Sequence, residues 1–296
     1  MNGILIVYKE PGFTSFDVVA KLRGICKQKK IGHTGTLDPD ASGVLPVCLG
    51  NATKLCDMLT DRSKEYRAVM YLGKVTDTQD ASGKVLSEGV LEANEEQVKE
   101  AILSFVGDYD QIPPMYSALK VNGQKLCDLA RAGKEVERKS RRVIIEELEI
   151  EKIELPRVYM RVACSKGTYI RTLCHDIGQK LGCGGIMEKL ERTRAGQFVL
   201  EEARTLSQIE AIVKEGRVDE ILISTDRAFE ELPAATVTAA GLLLLKNGNH
   251  LAAEHFAEEF SGYTGAVRVY DANGRFYAVY GWQEEKQRFA VEKMFL

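Results

Sequence analysis

No stretch of this 296-residue chain is apolar for long enough to cross a membrane as a helix, which takes about 20 residues. The opening apolar run, Ile4 to Val7, stops before Lys9. It is too short for a secretory signal, fits a first strand, and places the protein in the cytoplasm as an expectation. The seven cysteines are odd in number and contain no C-x-x-C pair, so neither a disulfide framework nor a zinc site is expected. They read instead as small buried apolar residues. The four histidines give no ligand pattern, and His250 and His255 stand five apart, off the helical i,i+4 spacing. No metal is expected. Despite 26 glycines there is no G-x-x-x-x-G-K-[ST], which argues against a phosphate-loop nucleotide hydrolase. Internal repeats and low-complexity linkers are absent as well.

What remains is an ordinary globular composition, 45% hydrophobic and 28% charged, long enough for one large domain and a small one. A net charge of −3 rules out a polycation, but the charges are unevenly placed. Lys21, Arg23, Lys27, Lys29 and Lys30 follow one another without an acid, and residues 120–142 carry eight basic residues against Asp128, Glu135 and Glu137. Each basic run by itself reads as a solvated face; two of them suit a phosphate-binding surface. Residues 84–110 are acidic and are expected to lie away from nucleic acid.

Patterning divides the chain. Ile4–Tyr8 reads as a strand, and Thr14 or Ser15 caps a helix with Val18, Val19, Leu22 and Ile25 inward. Glu65–Gly73 is a strand followed by the polar loop 76–83. Asn94 with Gln97 opens a helix expected to run to Gly107. Arg157–Ser165 alternates as a strand, and Tyr169–Leu181 reads as a helix stopped by Gly182. Strands interleaved with helices point to an α+β fold on a mixed, mostly antiparallel sheet. From Pro233 the pattern changes to one short helix and several strands, with Asn273-Gly274 as a hairpin signal. We therefore expect a catalytic domain over 1–232, with an inserted segment near 111–142, and a small β-rich domain over 233–296.

The densest stretch is Gly32–Pro46, GHTGTLDPDASGVLP. Glycines and an Asp-Pro step normally mark a turn, with Asp38 as a local cap. The ordered set Gly32, His33, Gly35, Leu37, Asp38, Pro39, Ala41, Gly43, Leu45 and Pro46 also resembles the signature of the TruB-type tRNA pseudouridine-55 synthases. Further pieces resemble that family in order: Lys64-Glu65-Tyr66, Lys166 to Arg171 (KGTYIR), and Leu190-x-Arg192 with Gly196 and Phe198. Lys9, Gly12, Thr14 and Ser15 fit its N-terminal segment, although the proline stands one place later, at Pro11. Cys127 occupies a position where the family commonly has tyrosine, which puts any role of that ring in doubt.

The resemblance implies an isomerase that breaks the bond from uracil N1 to ribose C1′ and rejoins the base through C5, with no cofactor. Asp38 would be its catalytic aspartate, either attacking C1′ or stabilising positive charge there as the base departs. Arg171 would pair with Asp38 and hold it ionised. Tyr66 would stack on the uracil, and Tyr169 would support Tyr66 or line the pocket. His33 would fill the space of the flipped base. Lys9, Lys64, Leu190, Arg141 and Arg142 would complete the substrate-binding set. The implied substrate is the T arm of tRNA. The implied protein is a monomer with no protein partner and a PUA-like RNA-binding domain at its C-terminus. A rival reading is an RNA-binding or RNA-folding protein with an inert pocket, against which the intact set Asp38, Tyr66, Tyr169 and Arg171 speaks.

Overall fold

The structure is a computed structural model that describes residues 1–257 and 263–296. Its elements follow the hydrophobic periods closely. Strand β1 is Gly3–Lys9, helix α1 Ser15–Ile25, β2 Ile31–His33, β3 Ser42–Leu49 and β4 Lys64–Leu72. Helix α2 is Glu95–Leu103, followed by β5 Gly107–Gln111, β6 Arg141–Glu154 and β7 Arg157–Cys164. Helix α3 is Ile170–Lys180, β8 Gly185–Ala195, β9 Phe198–Val199 and helix α4 Leu206–Lys214. The last part holds β10 Ala234–Thr236, helix α5 Ala239–Lys246, β11 Ala266–Tyr270, β12 Phe276–Gln283 and β13 Arg288–Met294.

The main sheet has nine strands and runs β1-β3-β8-β4-β7-β6-β5, with β2 beside β3 and β9 beside β8. Every pairing in it is antiparallel except β3 with β8. This is the mixed, mostly antiparallel sheet that the sequence predicts. Along β4, Lys64, Tyr66, Ala68, Met70 and Leu72 are buried in strict alternation, and on β7 Val158, Met160, Val162 and Cys164 are buried likewise, joined by Ala163 at the strand's end. Burying each such apolar side chain stabilises the fold by about 1.5–3 kcal/mol. Helices α2 and α3 cover this part of the sheet through Val98, Ile102, Leu173 and Ile177. Helices α1 and α4 cover the β1–β3 end through Val18, Val19, Leu22 and Ile209.

Caps set the helix ends. Thr14 is the N-cap of α1 and forms a capping box with Asp17; Asn94 does so with Gln97 at α2. Helix α2 stops at Leu103, short of the expected Gly107. Ser104 turns its hydroxyl back onto the Ala101 carbonyl, and Gly107, at φ +96°, instead opens β5.

Strands β10 to β13 form a second, four-stranded sheet with α5. It is docked onto the first rather than hung from it. Phe229, Val279 and Phe295 share one buried cluster with Ile4, Ile6, Val44 and Phe198. The Asn51 side-chain amide donates to the Phe295 carbonyl at 3.2 Å, and Lys54 donates to that of Met294 at 2.9 Å. Of the seven cysteines, Cys26, Cys48, Cys164, Cys174 and Cys183 are buried, and none forms a disulfide. Among the described residues no helix is long and apolar enough to cross a membrane.

One glycine decides how the sheet closes. Gly43, at φ +108°, pairs with Arg192 where β3 and β8 run parallel. A Cβ placed on it would stand 2.2 Å from the Arg192 carbonyl oxygen and 2.7 Å from the Arg192 nitrogen, both backbone atoms. Gly43→Ala should therefore part the two strands, costing on the order of 2 kcal/mol or more in thermal unfolding. A variant as stable as the parent would mean that the strands do not approach this closely.

Candidate active site

Between β2 and β3 the chain makes a loop whose main chain is tied down at several points. The amide and hydroxyl of Thr34 both donate to the Pro46 carbonyl, at 3.1 and 3.3 Å. The Leu37 amide donates 2.9 Å to the hydroxyl of Ser15, the first residue of α1. The Pro39 carbonyl accepts from Lys9 Nζ and from the Gly12 amide, each at 2.9 Å. The Ala41 amide closes the turn on the Asp38 carbonyl at 3.1 Å. Leu37 and Ala41 bury their side chains in the core cluster that contains Tyr66. Asp38 is thus carried at the tip of a rigid loop pressed into the sheet, and is not a cap on a surface turn.

Its partner comes from the first turn of α3. Arg171 is only 5% exposed and presents a fork to Asp38, with Nε 3.0 Å from Oδ2 and Nη2 3.1 Å from Oδ1. Such a bidentate pair fixes orientation as well as charge. The Asp38 side chain keeps 36% exposure, so one side of the carboxylate opens outward. Burial pushes the Asp38 carboxyl above its ordinary range, and the Arg171 charge opposes that push. Tyr66 is buried close by, next to the Arg192 guanidinium. Burial raises its hydroxyl above the usual value and keeps it neutral. An oriented carboxylate, an arginine that holds it, and an aromatic wall beside it suit attack on, or charge stabilisation at, a sugar–base junction.

The comparisons with known proteins agree. Residues 23–170 match the family model described as TruB family pseudouridylate synthase, N-terminal domain, and residues 171–230 that of the tRNA pseudouridylate synthase B C-terminal domain. The chain belongs to the TruB family. A TruB relative from Lachnoclostridium phytofermentans, named tRNA pseudouridine synthase B, is 52% identical over the whole of both chains. One of the same name from Clostridium perfringens is 45% identical, covering 100% of this chain and 99% of its own. Among solved structures, a Cbf5–Nop10–Gar1 complex matches with a TM-score of 0.74 and 29% identity over 99% of this chain and 85% of that one. The join between the two TruB models falls inside one structural unit, because Arg171 lies just past it and reaches back to Asp38.

The remaining residues expected at this TruB site fall into groups. Tyr169 is the N-cap residue of α3, and the buried Gln111 clamps it from both sides. Gln111 accepts from the Tyr169 amide at 2.8 Å and donates to its carbonyl at 3.0 Å. Leu190 is half-buried on β8 opposite Ala68, against the Tyr66 cluster. His33 ends β2, and its Nδ1 accepts from the Gly35 amide at 3.3 Å. Burial, with the charge of Arg192, lowers its pKa and keeps the ring neutral.

Lys9 and Lys64 correct the expectation of substrate contact. Lys9 is fully buried and donates to the Glu10 and Pro39 carbonyls, and Lys64 donates to those of Thr60 and Arg62. Burial lowers each to about 8. They fasten the chain around the site.

Several residues were not singled out in the sequence. Asp80, in the polar 76–83 loop, takes Arg171 Nη1 at 3.4 Å and is itself held by the Thr78 and Ser82 hydroxyls at 2.7 and 2.6 Å. Arg192, part of the quoted motif but given no role, donates from Nε to the Val44 carbonyl at 2.7 Å and from Nη2 to that of Gly35 at 3.4 Å. The signal for Asp80 was a carboxylate in a loop of hydroxyl residues. Gln111 offered none.

The acidic stretch does not lie apart. Strand β5 pairs with β6, so Asp108 and Asp110 stand beside Arg142, which donates to Asp110 at 2.7 and 2.8 Å and to Asp108 at 3.2 Å. Arg141 is exposed and lies opposite Gln111, with its charge felt at Tyr169. Arg141→Glu should therefore weaken RNA binding and flatten its salt dependence by about one phosphate contact, while Arg142→Glu should do less. Affinity measured at several salt concentrations decides it, and equal losses from the two variants would contradict this assignment.

Proposed function

We propose that the protein is a tRNA pseudouridine synthase that isomerises one uridine in the T arm. The observation that carries this is the forked Arg171–Asp38 pair at a partly open carboxylate beside the buried Tyr66. The names of the relatives support tRNA as the substrate class. The position within the T arm rests on the Gly32–Pro46 motif and its resemblance.

Neither C1′ nor C5 of a stacked base is within reach of a protein carboxylate, so the uridine must leave the stack. His33, neutral and held at the loop entrance, fills the space it vacates. Tyr66 and Leu190 then bracket the base, a stacking contact worth about 1–3 kcal/mol. Asp38 acts at C1′, as nucleophile or as counter-charge, while the N1–C1′ bond breaks. The base rotates, C5 bonds to C1′, and the C5 proton is lost while N1 gains one. Bonds broken and made are alike, so the protein supplies position and charge. Arg171 aims Asp38 and opposes the protonation that burial favours, and Tyr169 supports the pocket beside it.

In this reading residues 1–232 form the catalytic unit, the segment near 111–142 contacts RNA, and residues 233–296 are a PUA-like unit that holds the rest of the tRNA. All the named groups come from one chain, which suits a monomer. The rival reading, a binder with an inert pocket, has no use for a carboxylate placed where phosphates must approach.

The test is release of tritium from T-arm RNA labelled at uridine C5. The parent should release it, and Asp38→Asn should bind the RNA yet release none. Arg171 keeps Asp80 and the Thr78 and Tyr116 carbonyls, at 3.4, 3.2 and 2.9 Å, so the variant should unfold within about 4 °C of the parent. A folded Asp38→Asn protein that turns over within about tenfold of the parent would overturn the role given to the carboxylate.

A further inference from the structure

The outer face of α1 has features that neither the packing nor the chemistry above uses. Ser15 is buried and holds the Leu37 amide of the Asp38 loop. The next residue, Phe16, points the other way and is 64% exposed, among the most exposed large apolar side chains of the described residues. The Arg23 guanidinium lies 5.9 Å from the centre of the Phe16 ring, and Lys21 Nζ lies 5.0 Å from that of Phe13. Lys21, Arg23, Lys27, Lys29 and Lys30 are all exposed.

The two basic runs differ in what neutralises them. In the 120–142 run, Arg131, Arg138 and Arg142 each have a carboxylate within 4 Å, at 3.8, 3.2 and 2.7 Å. Along 21–30 no side chain has such a partner among the described residues. Asp17 and Glu210 feel the charge of Lys21 from beyond 4 Å while holding other partners directly. Asp17 accepts from the Thr14 amide and hydroxyl at 2.8 and 2.7 Å, and Glu210 of α4 is paired with Lys214 at 2.7 Å. Cations near the C-terminus of α1 are also favoured by the helix dipole, which accounts for Lys27 but not for an exposed phenyl ring at the other end. Exposed cations with no carboxylate within 4 Å, beside an exposed aromatic ring, form the combination on which single-stranded nucleic acid is held, the charges on the backbone and the ring on a base.

We infer that the α1 face seats the RNA strand flanking the target uridine, with Phe16 stacking on an unpaired base and Lys21 and Arg23 on its phosphates. This rests on the RNA-modifying reading above. It adds that the ring beside the loop anchor, one residue from Ser15, fixes where the neighbouring nucleotide lies relative to Asp38. Charge complementarity selects nucleic acid as the occupant.

The experiment uses the full chain and a T-arm hairpin RNA. Phe16→Ala should weaken binding about tenfold or more, and Phe16→Tyr, which keeps a stacking ring, should stay within about twofold. The loss should fall on the RNA concentration needed for half-saturation more than on the rate at saturation. The Lys21→Gln, Arg23→Gln double variant should reduce the slope of log K against log salt by about 1.4–1.8, the share of two phosphate contacts. Unchanged affinity for Phe16→Ala together with an unchanged slope for the double variant would overturn the inference, as would equal losses for Phe16→Ala and Phe16→Tyr. Tritium release by the parent tests the activity separately, so failure of the surface and failure of the reaction are distinguishable.

Discussion

A guanidinium group with almost no access to water must find acceptors for its donors, and the site is built around meeting that demand for Arg171. Leaving such a charge unmatched would cost several kcal/mol. Asp38 takes Nε and Nη2, Asp80 and the Thr78 carbonyl take Nη1, and the Tyr116 carbonyl takes Nη2 as well. Those acceptors come from three separate loops. Satisfying one buried arginine therefore sets the Asp38 loop, the 76–83 loop and the start of the 111–142 segment at fixed places around the carboxylate. The same interaction that lets α3 start inside the core also aims Asp38 outward.

The second constraint is the parallel contact of β3 with β8. Gly43 lets the Arg192 main chain come within reach of β3, and the Arg192 side chain then ties Val44 and Gly35 from inside. Lys9 anchors the opposite end of the loop through Pro39. Buried cations thus grip main-chain carbonyls on both sides of Asp38. The Lys9 charge, like that of Arg171, also opposes the upward push that burial gives the Asp38 carboxyl.

Much of this was legible in the sequence. The strand read over 65–73 and the alternation over 157–165 fall within a residue of β4 and β7, and Thr14 (or Ser15) and Asn94–Gln97 mark two helix starts, because these signals are local and the structure uses them locally. Asp38, Tyr66 and Arg171 were named through a motif whose glycines have physical uses, Gly43 above all. What was misread lay in three dimensions. A lysine in a motif reads the same whether it points to RNA or inward, and Lys9 and Lys64 point to carbonyls. Asp108 and Asp110 looked like part of a remote acidic face until the pairing of β5 with β6 set them against Arg142. Asp80 and Gln111 act through partners some 90 and 58 positions away in the chain, a separation no spacing rule reveals.

The central claim is that the Arg171-held Asp38 carboxylate meets the sugar–base junction of a flipped uridine. The most direct measurement is a crystal structure of the protein with a T-arm hairpin in which 5-fluorouridine replaces the target uridine, so that no hydrogen can leave C5. The account predicts that nucleotide out of its stack, its base or base adduct against Tyr66, and C1′ no more than about 3.5 Å from an Asp38 oxygen. A nucleotide left stacked in the RNA loop, or flipped with its sugar turned away from Asp38, would contradict it.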